Sequence, residues 1–132
     1  MGSGVSGLGK GGSGAAGAAP IAPAGRFKGN MSNSDVTDNV LYAIRQKDTD
    51  VMRSVLEDIR EGDIVSVETK TRSGRYMSAS VMANNDGSFR ITTENSKPIT
   101  TDIDDAVDEL LYIRARSQGS RLDASINRAN PR

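Results

Sequence analysis

The chain has 132 residues, enough for one domain, with no Cys, His or Trp and 36% hydrophobic residues. The missing Cys and His exclude disulfides, thiolate nucleophiles, Ser-His-Asp triads and ordinary zinc sites. A formal charge of zero conceals a division: residues 1–30 carry Lys10, Arg26 and Lys28 with no acid (+3), residues 31–113 carry 9 basic and 16 acidic residues (−7), and residues 114–132 carry five Arg against Asp123 (+4). An acidic body between basic ends favours contact with an acidic surface, either nucleic acid or protein.

Residues 1–33 read as a Gly/Ala-rich extended arm, with 10 of the 14 glycines in the first 30 positions. Val5, Leu8, Ile21 and Phe27 are too scattered to form a core, and ordering so much Gly is entropically costly. Thirty extended residues reach about 100 Å, far enough to cross a neighbouring subunit. Residues 20–28, PIAPAGRFK, read as an anchor. Pro20 and Pro23 stiffen it, Ile21 and Phe27 suit pockets, and Arg26 and Lys28 suit acidic partners. These last four are the candidate partner-binding residues. The arm has no continuous apolar stretch of the kind a secretory signal needs, and no run anywhere approaches a membrane span. Gly2 falls in an M-G-x-x-x-[ST] myristoylation pattern. Gly2-x-Gly4-x-x-Gly7 and Gly4-x-x-x-x-Gly9-Lys10 match phosphate-loop spacings, but no strand precedes them, no helix follows, and Gly11 replaces the Ser/Thr of the second. No cofactor is expected.

The spacing of Val36, Val40, Leu41 and Ile44 predicts a helix with Ser34 or Asp35 as its N-cap. Val51, Met52, Val55, Leu56 and Ile59 form a second apolar stripe. The two runs make either a helical hairpin, with Thr49 capping its second helix, or one long helix, with Gly62 as the C′ residue. The stripe is expected to pack on the sheet that follows. Residues 63–71 alternate as a strand, 72–75 turn, and 76–83 form a second strand with Met77, Ala79, Val81 and Ala83 on one face. Asn84–Gly87 is a hairpin turn. Residues 88–93 form a third strand with Phe89 and Ile91 alike in direction, and Pro98–Thr100 adds a short fourth. Thr101 or Asp102 caps an acidic turn, Asp102, Asp104, Asp105 and Asp108, which reads as a solvated helix start rather than a metal or acid–base site. Residues 109–116 fit either a continuing helix or a closing strand. Residues 117–132 read as a basic tail, a loose terminus in which Leu122 and Ile126 suit one helical turn against a partner. The fold class is α+β: a helix or helical hairpin on a small antiparallel sheet over residues 34–116, with arms at both ends.

On the strand reading, the block GDIVSVETKTRSGRYMSASVMANNDGSFRIT followed by KPIT and DI resembles an SH3-like or Sm-like small barrel. That resemblance implies a nucleic-acid-binding module in which Lys70, Arg72, Arg75 and Arg90 surround the hairpin turns and Tyr76 and Phe89 stack on bases. On the helix reading, the order resembles the double-stranded-RNA-binding domain, but acids stand where that family places phosphate-gripping bases at the start of its last helix. The small body with its long Gly/Ala arm resembles the accessory proteins of tailed-bacteriophage virions: capsid decoration, head–tail connector or tail component. This implies a non-enzymatic structural protein, assembled in the host cytoplasm and present in many symmetric copies among other virion proteins. An adaptor to one soluble partner is a further alternative.

Overall fold

The computed structural model describes residues 29–113 and 121–129. The element order is α1 (Asn33–Gln46), α2 (Thr49–Asp58), β1 (Ile64–Lys70), β2 (Tyr76–Ala83), β3 (Phe89–Thr93), β4 (Ser96–Thr101), α3 (Ile103–Leu111) and β5 (Arg121–Asn127). The strands form one antiparallel sheet in the order β4-β3-β2-β1-β5, with β4 and β5 as free edges. The protein is therefore α+β with a helical hairpin, and its sheet is an open meander rather than a closed barrel.

Alternation places one face of each central strand against the helices. Val65, Val67, Thr69, Ala79, Val81, Ala83, Phe89 and Ile91 are all buried there. They meet Val36, Val40 and Ile44 of α1, the α2 stripe of Val51, Met52, Val55, Leu56 and Ile59, and Val107 and Leu110 of α3. α1 lies along β5, α3 lies over β2 and β3, and α2 bridges the two helices. The α2 stripe is thus core, with α1 and α3 as its main neighbours.

Local chemistry accounts for the helix boundaries and shifts several of them. Ser32, not Ser34 or Asp35, caps α1, its Oγ accepting from the Asp35 amide at 3.1 Å. Lys47 turns left-handed (φ 54°) and breaks the two runs apart. Asp48, not Thr49, then caps α2 by accepting from the Val51 amide. α2 ends at Asp58 with an extended Ile59, so Gly62 (φ +86°) is not its C′ residue but the turn into β1. Asp102 caps α3, as one of the two expected residues. The helix reading holds through Leu111, and residues 114–120 lie outside the described residues.

The largest departure is β5. Residues 121–127, read from sequence as part of a loose tail, pair with all of β1, from Lys70↔Arg121 to Ile64↔Asn127. Leu122, Ala124 and Ile126 follow a period of two and join the helix side of the sheet. The strand is then fastened. Arg128, with 8% of its side chain exposed, donates to Asp63 Oδ2 at 3.1 Å, the Met31 carbonyl at 2.9 Å and Asn33 Oδ1 at 2.8 Å. Asp63 Oδ1 accepts from the Ala129 amide. Nearby, the buried Asp58 carboxylate accepts from the Asn30 and Met31 amides. Both ends of the described chain therefore converge on the link between α2 and β1. Among the described residues no helix is long and apolar enough to cross a membrane.

Candidate functional site: the open face of the sheet

Since all the helices lie on one face, the other face of the sheet has no covering element among the described residues. The register arranges its side chains in rows across the strands. One row runs Ser125, Ser66, Ser80 and Thr92, with Ser66 and Ser80 hydrogen-bonded at 2.8 Å. These small hydroxyls make the centre of the face low and flat.

The two ends of the face differ. Beside the β2–β3 turn, Ile64, Ser80, Met82, Arg90, Thr92 and Pro98 line a shallow, mainly apolar groove of about 340 Å³. At the opposite end, Lys70 lies between Arg121 on β5 and Tyr76 on β2. The Lys70 ammonium is 6.0 Å from the centre of the Tyr76 ring, and Tyr76 as a whole residue is 53% exposed. Arg72 and Arg75 stand in the adjoining turn, also exposed. That turn is closed by the Thr71 amide donating to the Arg75 carbonyl at 2.6 Å and by the Arg75 amide donating to Thr71 Oγ1. Lys70, Arg72 and Arg75 form no ion pair with a described residue. Arg121 reaches Asp123 at 3.5 Å, with both side chains more than half exposed.

The six residues expected to bind nucleic acid therefore divide. Lys70, Arg72, Arg75 and Tyr76 come together. Phe89 is fully buried on the helix side and has no ring face to offer a base. Arg90 pairs with Met82, so six residues of β2, about 20 Å, separate it from Tyr76. The sequence reading missed Arg121, which belongs to the cluster only because β5 pairs with β1. The period-two pattern at Leu122, Ala124 and Ile126 was the signal that would have placed it. The proposed anchor residues Ile21, Arg26, Phe27 and Lys28 lie outside the described residues.

Asp102, Asp104, Asp105 and Asp108 make up the cap and outer surface of α3. Asp104 pairs with Arg53 and Asp105 accepts from Thr101 Oγ1. Among the described residues no group of three His, Cys, Asp or Glu is placed to hold a metal ion. A groove of about 320 Å³ between β4 and α3 is lined by Ile91, Glu94, Lys97, Ile99 and Glu109, among others. No protein-family model, no curated protein and no solved structure matches this chain.

Proposed function

We propose that this chain is a non-enzymatic assembly protein that docks on repeating neighbours, in the manner of a capsid decoration, head–tail connector or tail component of a virion, and lays its N-terminal arm along them. The observation that supports this reading is the separation of charge between the two layers. The three helices carry nine acids against Arg45 and Arg53. The five strands carry Lys70, Arg90, Lys97 and Arg121 against Glu68 and Asp123, and the arm adds Lys10, Arg26 and Lys28. The acidic helical layer of one copy thus complements the arm and sheet of the next. Such a contact joins two different patches, and it repeats from copy to copy instead of closing a two-fold dimer.

Sedimentation velocity over a range of concentrations tests this. Association should grow with concentration, weaken between about 50 mM and 500 mM salt as the charges are screened, and weaken again in the double variant R26E/K28E. A chain that stays monomeric throughout, alone and with purified particle proteins, would sink the proposal. Quantitative mass spectrometry of purified virions tests the setting: the chain should be present in many copies per particle.

A further inference from the structure

We infer that the basic end of the open face binds single-stranded nucleic acid through Lys70, Arg72, Arg75, Arg121 and Tyr76. This does not depend on the assembly proposal: Lys70 and Arg121 also count in the sheet charge invoked there, but the stacking role of Tyr76 is separate chemistry and nucleic-acid binding is read apart from self-association. The five residues come from β1, the β1–β2 turn, β2 and β5, and pairing alone brings them together. Neighbouring strands lie about 4.8 Å apart, so Arg121, Lys70 and Tyr76 form a short row, with Arg72 and Arg75 beyond it. Four cations in this space, three of them in no ion pair with a described residue, make a local positive field on an otherwise acidic body.

Tyr76 decides the class of ligand. Cations alone would accept any polyanion, but an exposed ring at the edge of a flat face adds a stacking platform, and a base is free to stack only where it is not already paired inside a duplex. Glu68 and Asp123, one row further in, repel phosphate and hold the strand to the rim.

Fluorescence anisotropy of the full chain with a labelled oligothymidylate tests the site. Affinity should fall with salt at a log–log slope of about −3, the value for four phosphate contacts on a single strand. Arg72→Ala and Arg121→Ala should each flatten that slope by about 0.7. Tyr76→Ala should weaken binding about tenfold with the slope unchanged. Glu68→Gln should tighten binding, and Arg90→Ala, at the far end of the face, should leave it as it was. All of these positions are exposed, so thermal melts of the Arg72, Arg121, Tyr76 and Arg90 variants should match the parent and that of Glu68→Gln should be no lower, which separates lost binding from lost folding. The inference is overturned by three results: no binding at about 50 mM salt, binding that survives both Arg121→Ala and Tyr76→Ala, or inorganic polyphosphate or duplex bound as tightly as the single strand with Tyr76→Ala neutral. Binding that survives would place the contact on the arms, and indifference to Tyr76 would mark a general polyanion surface.

Discussion

Arg128 is a long charged side chain that is nearly buried, and all three of its acceptors belong to other parts of the chain. Its removal leaves Asp63, itself 1% exposed, as a buried acid without its cation. Arg128→Ala should therefore cost about 3–5 kcal/mol in urea unfolding. Arg128→Lys should recover only part of this, because one ammonium cannot reproduce a planar fork that spans three acceptors. Gly62 is the second sensitive residue at this corner. A Cβ there would sit 2.7 Å from the Ala129 Cβ, at a φ of +86° that already disfavours a side chain. Gly62→Ala should lower the melting temperature and loosen the Ala129 amide, which hydrogen exchange reads directly. Across the sheet, Glu68 stands directly opposite Asp123, two like charges in register. Glu68→Gln should accordingly stabilise the fold, by about 0.2–1 kcal/mol.

At the scale of elements, the lesson is in how two kinds of periodicity compete over short segments. β2 was legible to the residue, because Met77, Ala79, Val81 and Ala83 alternate for eight positions between two clear turns. The two helices were legible because each apolar stripe spans more than two turns, and the pattern lapses at Lys47–Thr49, but that lapse fits one long helix as well as a hairpin, and only the left-handed Lys47 decides for the hairpin. Lysine has no special liking for the left-handed region, and it adopts φ 54° because the Asp48 cap and the packing of α1 on α2 impose it. Lys47→Gly should remove that strain and stabilise the protein by about 0.5–1 kcal/mol in denaturant melts. β5 was misread because Leu122 and Ile126 are four apart, a spacing that a helix and a strand share. Ala124 between them decides for the strand, but it is too small to stand out. The site suffered from the same gap: its hairpin half could be read from local sequence, while Arg121 joins it only through a pairing fifty-one residues distant from Lys70. Phe89 looked available to a ligand because alternation alone does not say which face of a sheet the helices will cover.

For the whole molecule, the order of the sheet predicts the order in which it opens. β1 and β2 are paired on both sides, whereas β4 is an exposed edge that carries Lys97 and Pro98, residues that discourage further pairing. Native-state hydrogen exchange should find β1 and β2 amides the slowest and those of β4 the fastest. β5 is also an edge, but the Arg128 fastening should protect it, and Arg128→Ala should bring its exchange close to that of β4. The convergence of residues 29–31 and 128–129 on one corner has a mechanical consequence. A pull between residue 29 and residue 129 acts first on the Arg128 clasp and then on Asn127, the last residue of β5. The β5–β1 hydrogen bonds would break one pair after another, like a zipper, instead of resisting together in shear. A molecule tethered through these two points would yield at low force by releasing one strand, keep its helical core, and re-form when the tension is removed.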